Sequence, residues 1–224
     1  MGLIDLFFPK VCPVCGELLV GGENTVCLRC LSDIPLSYFW RWRDNPAEIL
    51  LRERLEVNAA ATLLLYRKES SWREVIHNFK YSADKSSGRF LSSLLGKKIV
   101  ESGCFSNVDI VVPVPLHPLK KWKRGFNQAA IIAREMGRVL DKPVVEGVLR
   151  RGRYSSTQTI KDKKGRKRSV EGAFYLKNPE RFSNRHILLV DDVLTTGATI
   201  EACGTQILKA GGVTLSVAAL AFVE

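Results

Sequence analysis

The stretch from Ile187 to Val223 constrains the fold more than any other, because it spells a complete strand–turn–helix–strand unit. Ile187, Leu188, Leu189 and Val190 form a short apolar run of the kind covered on both faces of a parallel sheet. Asp191 and Asp192 come at its carboxyl end, and Thr195, Thr196, Gly197, Ala198 and Thr199 make a tight turn that opens a helix. That helix stops at Gly211 and Gly212, before a last strand from Val213 to Val223. In open α/β sheets, ligands bind outside the carboxyl ends of the strands, which is where this turn stands. Small residues around Gly197 let consecutive backbone N–H groups curl around an oxyanion. The hydroxyls of Thr195, Thr196 and Thr199 add donors, and the helix N-terminus adds positive potential. Two carboxylates would repel a phosphate they touched, so they suit donors a few ångströms away, such as vicinal sugar hydroxyls. Acids for a ribose and amides for its 5′-phosphate fit a phosphoribosyl group. Simple helix capping would not need two acids and five small or hydroxylated residues together. A Walker B strand also ends in paired acids, but the chain contains no G-x4-G-K-[ST] and no G-x-G-x-x-G, so neither P-loop nor dinucleotide binding is supported.

The remainder supplies the rest of an α/β domain. Asn58 to Tyr66 reads as a strand, and Ser71 begins an amphipathic helix with Trp72, Val75, Ile76 and Phe79 on one stripe. A second helical pattern aligns Phe90, Leu91, Leu94, Leu95 and Ile99. Asp109 to Val114 is a nearly all-apolar strand, and Asn127 to Leu140 is a helix with Ala129, Ile132, Ala133, Met136 and Val139 at spacings of three and four. With 224 residues and about 150 per domain, one full core and a small appendage are expected. The division is 1–36, 37–57 and 58–224, the middle stretch being a polar connector rich in Trp and Arg.

Charge is concentrated. Lys and Arg number 34 against 23 acids, a net of +11. Arg150 to Arg168 carries nine basic residues and one acid, Asp162, and Lys120, Lys121, Lys123 and Arg124 add four more cations. Together these exceed the whole excess, so the rest of the chain is about neutral. Such stretches are either solvated basic loops or cation sources for phosphates, nucleic acid or an acidic membrane surface. The second group follows a strand end at Pro115, beside Leu116 and His117. There, Arg124 before Gly125 and Phe126 suits phosphate contact. His117 could touch a ligand or stand exposed, and Trp122 could stack on a base or pack on its own loop. No apolar run approaches the ~18 residues that span a bilayer. Residues 1–10 make a poor signal peptide, and Leu6 stands where a myristoylation signal wants Ser or Thr, so no membrane insertion and a cytoplasmic location are expected.

Cys12 and Cys15 form one C-x2-C pair and Cys27 and Cys30 another. Two such knuckles facing each other, joined by a hairpin through Gly21 and Gly22, complete the tetrahedral thiolate shell of a structural zinc ribbon. Redox thiols or an iron–sulfur cluster are the alternatives. Four thiolates leave no open position, so such a zinc would not be catalytic. Cys104 and Cys203 lack partners at ligand spacing and read as small buried residues.

ILLVDDVLTTGATI, from Ile187 to Ile200, resembles the phosphoribosyl-diphosphate signature of type I phosphoribosyltransferases. The cysteine ribbon, VPVPLHPLKKWKRGFNQA from Val112 to Ala129 and RYSSTQTIKDKKGRKRSVEGAF from Arg153 to Phe174 are similar to the ComF family. The resemblance implies an α/β type I fold, a parallel sheet flanked by helices, with a zinc-bearing N-terminal appendage. It implies Mg²⁺-phosphoribosyl diphosphate as donor and a link to DNA uptake. It marks Leu116 to Arg124 as a pyrophosphate loop and Arg150 to Arg168 as a mobile loop over the donor. Ser169 departs from the family, which has Asn at that place.

Two functions are then expected to compete. One is a transferase in which Asp191, Asp192 and Arg124 serve the chemistry, moving phosphoribosyl onto an unidentified acceptor. The other is a non-catalytic adaptor binding single-stranded DNA or a protein of the uptake machinery, with Trp40, Trp42 or Trp122 against the bases.

Overall fold

The computed structural model describes residues 10–66, 69–81, 85–152 and 173–223. Helices α1 (Leu28–Ser32) and α2 (Pro46–Arg52) precede strand β1 (Ala59–Tyr66), followed by α3 (Trp72–Tyr81), α4 (Ser86–Ser102) and β2 (Ile110–Pro113). Next come α5 (Pro118–Arg124), α6 (Gln128–Leu140), β3 (Leu149–Arg151) and β4 (Phe174–Leu176). The chain ends with β5 (His186–Leu194), α7 (Ala198–Leu208) and β6 (Thr214–Val223). Four strands form one sheet in the order β1-β6-β5-β2, every neighbouring pair parallel. Beyond β2, a single parallel bridge from Val111 to Val144 begins to extend it, while β3 and β4 pair antiparallel as a separate ribbon.

Both faces of the sheet are covered, which is why its strands read as unbroken apolar runs. On one face, Ala61 and Leu63 of β1, Val111 of β2 and Leu188 and Val190 of β5 join Val75, Ile76, Leu95, Ile99, Ile132 and Met136 of the helices α3, α4 and α6. On the other, Ile110, Val112, Ile187, Leu189, Leu215 and Val217 pack against Leu51 of α2, Ile200, Cys203 and Ile207 of α7, and Phe174 of the ribbon. Cys203 is buried as expected, and Cys104 is half-buried. The sequence places Asp191 and Asp192 at the end of a strand, but β5 runs on to Leu194. The cause is β6, which continues to Val223 and pairs Val193 with Ala221 and Leu194 with Phe222. No helix among the described residues is long and apolar enough to cross a membrane.

The cysteine module is not a detached bead. Cys12, Val26, Cys27, Cys30 and Trp40 belong to the same apolar cluster as the helices α3 and α4. Its backbone shows one antiparallel bridge, Val11 to Leu18, and the second cysteine pair opens α1, with Cys27 as its N-cap.

The stretch read as a polar connector holds a helix with a buried face. Asn45 and Glu48 are 0% and 1% exposed, and burying them is possible because every polar atom is occupied. The Asn45 amide donates to the carbonyls of Phe39 (2.9 Å), Trp42 (3.1 Å) and Ala60 (3.0 Å), and its oxygen accepts from the Glu48 N–H at 3.1 Å. The Glu48 carboxylate accepts from the N–H groups of Asp44 (2.8 Å) and Ala60 (3.1 Å) and pairs with Arg43 and Arg52 at 3.4 and 3.0 Å. With the Leu36–Leu64 bridge, this node closes the free edge of β1, which otherwise would offer unpaired backbone groups. Replacing Asn45 with Ala strands several buried polar groups at once. Urea unfolding of Asn45→Ala is expected to show a loss of about 2–4 kcal/mol; a loss below about 1 kcal/mol would mean that the node is not what fixes α2.

Candidate functional site

The sheet has one place where its connections part. The chain leaves β2 toward the Val144 edge, with α6 on one face, whereas it leaves β5 toward β6, with α7 on the other. Adjacent parallel strands whose following helices cross to opposite faces leave a crevice at their carboxyl ends, where ligands of α/β sheets bind. The two sequence segments with phosphate-binding character flank this crevice.

On the β5 side stand the acid pair and the turn. Asp191 and Asp192 are half-buried and, one residue apart on a strand, project to opposite faces. The Asp192 N–H donates to Asp191 Oδ1 at 2.8 Å, which steadies the first carboxylate. Asp191 faces α7: burial pushes the Cys203 thiol well up, and the nearby Asp191 charge adds to that, with Arg151 acting in the opposite sense. Thr195, Thr196 and Thr199 are exposed, and Ala198 is half-buried. Gly197 is buried and is the N-cap of α7 with φ of 74°, a left-handed conformation that costs glycine nothing and a β-carbon something. The turn therefore presents free-standing hydroxyls and the first N–H groups of α7 at the mouth of the crevice.

On the β2 side, the segment expected as a basic loop is the helix α5. Pro118 supplies its first position and His117 its N-cap, with His117 Nδ1 accepting from the Leu119 N–H at 3.2 Å. One ring nitrogen of His117 is thus used by the helix, and the residue is half-buried. Gly125 ends α5 in a left-handed cap. Lys120, Lys121 and Lys123 are exposed on it, Leu116 is half-buried before it, and Arg124 reaches the Gln128 side chain at 3.3 Å. Asn127 donates to the Val114 carbonyl at 3.0 Å and so ties the start of α6 to the end of β2. Trp122 is 87% exposed, which settles its packing on its own loop in the negative, and Trp40 is 2% exposed inside the core, so it cannot meet a base; Trp42 is 45% exposed.

Beside α5 lies an open cleft of about 620 Å³, lined by Lys85, Arg89, Lys121, Arg134, Arg150 and Arg151 with Phe126 and Tyr175 among them. Arg134 is paired with the cleft's acid, Glu146, at 2.8 Å, and Lys85 sits 4.6 Å from the centre of the Phe126 ring. Sequence reading assigned none of Lys85, Arg89, Phe126 and Tyr175 to a site, since nothing local marks them; they converge only when α4, α6 and the β3–β4 ribbon meet at one corner. Of the basic stretch 150–168, the structure places Arg150 and Arg151 here, and residues 153–172 lie outside the described residues.

The four cysteines come together as their spacing demands. Their sulfurs all lie within 4.8 Å of one another, and Cys15 and Cys27 Sγ are 3.7 Å apart. Sulfurs held at about 2.3 Å from a tetrahedral metal stand about 3.8 Å apart, so the set fits a metal such as zinc. Burial works against ionising Cys12, but backbone N–H groups of Cys27, Cys15 and Val14 outweigh it and bring the thiol down to about 7. Burial and the neighbouring thiols push Cys30 up. A cation among four sulfurs removes that mutual penalty.

Comparison with known proteins agrees with this architecture. Residues 97–224, more than half of the chain, match the family described as Phosphoribosyl transferase domain. The chain is similar to Competence protein F of Haemophilus influenzae, 34% identical over 104 residues that cover 46% of this chain and 45% of that protein. It is similar to DNA utilization protein YhgH of Escherichia coli K12, 31% identical over 146 residues, 64% of this chain and 63% of that one. Competence protein ComFC of Bacillus subtilis is 27% identical over 206 residues, 90% of this chain and 72% of that protein. The matched stretch thus spans less than two thirds of the Haemophilus and Escherichia proteins. A parallel sheet of this topology, matched over the strands that carry the crevice, makes the chain a member of the phosphoribosyltransferase family, as a ComF-type protein with a type I-like domain.

Proposed function

We propose that the protein binds magnesium-phosphoribosyl diphosphate in the crevice and transfers its phosphoribosyl group to an acceptor, in a task tied to the uptake or use of DNA. One observation carries this reading: the acid–threonine strip and the cations of α5 stand on neighbouring strand ends, β5 and β2. Neighbouring strands are about 4.8 Å apart, so both segments can engage one ligand with a phosphate at each end. Asp191 and Asp192 accept hydrogen bonds from the ribose hydroxyls, and the N–H groups and hydroxyls of Thr195 to Thr199 hold the 5′-phosphate. Cleavage of the C1′–oxygen bond leaves positive charge on the ribose and negative charge on the departing pyrophosphate. In this reading, Lys120, Lys121, Lys123 and Arg124 neutralise the latter. Bound magnesium supplies further charge neutralisation to the diphosphate. The names of the relatives, with competence and DNA utilization in them, support the connection to DNA.

The four cysteines, in this reading, hold one zinc ion that is structural, since four protein sulfurs leave no position for a substrate. A second reading, an adaptor for single-stranded DNA, is favoured by the cleft beside α5, which combines cations with aromatic rings and a nearby exposed Trp122.

Titration calorimetry with magnesium-phosphoribosyl diphosphate is expected to show binding that Asp191→Asn and Asp192→Asn each weaken by about tenfold or more, the effect of losing a charged acceptor; no heat with the unmodified protein would remove the donor reading. Purified protein should carry one zinc per chain, and Cys27→Ser or Cys30→Ser should lose it along with several degrees of melting temperature. Iron–sulfur absorption or a pair of disulfides in place of zinc would overturn that assignment. For the second reading, quenching of Trp122 by oligothymidine should give an affinity that falls steeply with salt. An affinity indifferent to salt would rule out the basic cleft as its seat.

A further inference from the structure

The segment before the sheet also sets a guanidinium beside the phosphate-binding turn. Arg54 comes just after Glu53, the C-cap of α2, and its Nη1 donates to Glu201 Oε2 at 3.0 Å. Glu201 lies in the first turn of α7, one turn past the cap, with its own N–H donating to the Gly197 carbonyl at 2.8 Å. Helix side chains lean toward the N-terminus, so this carboxylate leans toward the end of α7 that bears the threonine turn. The Arg54 chain runs along that turn: a β-carbon on Gly197 would stand 3.2 Å from Leu51 Cδ2, 3.6 Å from Arg54 Cδ and 3.9 Å from Arg54 Nε.

A carboxylate in this place opposes an anion at the same helix end unless something offsets it. The ion pair with Arg54 offsets it, but it is weak. Arg54 and Glu201 side chains are 38% and 39% exposed, and solvent-facing pairs of this sort contribute little. A phosphate dianion offers a guanidinium two charged oxygens in fork geometry and is the stronger partner. The guanidinium is also delivered from a fixed base, because the Asn45–Glu48 node clamps α2 to β1, so little ordering is needed when the partner changes.

We propose that Arg54 is a phosphate-binding residue of the donor site, exchanging Glu201 for the 5′-phosphate when the threonine turn is filled, a role that rests on the phosphoribosyl reading given above. Glu201 then acts as a resident competitor that lowers affinity for the 5′-phosphate.

Calorimetric titration of the full chain with ribose 5-phosphate tests the exchange. Arg54→Ala should weaken binding about tenfold, as expected for loss of a charged hydrogen-bonding partner. Glu201→Gln should tighten it severalfold by releasing the guanidinium, and the combined variant should stay as weak as Arg54→Ala. The idea is overturned if Arg54→Ala binds like the unmodified protein. It is equally overturned if Glu201→Gln weakens binding in parallel, the mark of a pair that merely clamps two elements, or if the combined variant regains full affinity, the mark of simple neutralisation. Absence of ribose 5-phosphate binding by the unmodified protein would instead bring down the reading of the turn itself, and this role with it.

Discussion

Burial of β5 on both faces is the constraint on which the site depends. From Ile187 to Val190 the strand is sealed between two layers of helices, so its direction and register are fixed by packing. From Asp191 to Val193 the cover thins, and side chains become half-accessible while the backbone remains hydrogen-bonded to β6. Two carboxylates are thereby held on a rigid ladder at the rim of the domain. A loop could place the same residues, but not with the same definition.

The parting of connections between β2 and β5 follows from the same constraint. Because both faces need cover, α6 and α7 must go to opposite sides, and the strand ends between them are left open. The crevice is a by-product of closing the hydrophobic layers. What distinguishes this chain is the chemistry placed on either lip: threonines and acids on one, lysines on the other.

How much of this could be read from residues alone depended on whether the signal was local. The four strands of the sheet, the helices α3, α4, α6 and α7, and the grouping of four cysteines were legible, because apolar spacing and C-x2-C pairs are short-range patterns. By contrast, β3 and β4 are three residues each, and Arg150 and Arg151 of β3 read only as part of a basic loop. The helix α2 was not legible either. Asn45 and Glu48 look like solvent-facing residues in sequence, and only a structure shows that Ala60, Phe39 and two arginines satisfy them. The helical form of α5 was hidden for a related reason: seven residues with four cations carry no apolar stripe, and His117 is an unusual cap. Arg54 and the cations of the α5 cleft were out of reach because their meaning lies in contacts between segments far apart in the chain.

The sharing of one apolar cluster between the cysteine knuckles and the helices over the sheet has a further consequence. A sequence boundary near residue 36 suggests a module that could be cut away, yet Trp40, Cys27 and Cys30 pack into the same interior as Leu63 and Ile76. Trimming the N-terminus there would leave part of the main hydrophobic layer wet. Heating should accordingly dissolve appendage and sheet in a single cooperative transition, so that the health of the thiol cluster is reported by the solubility of the whole molecule.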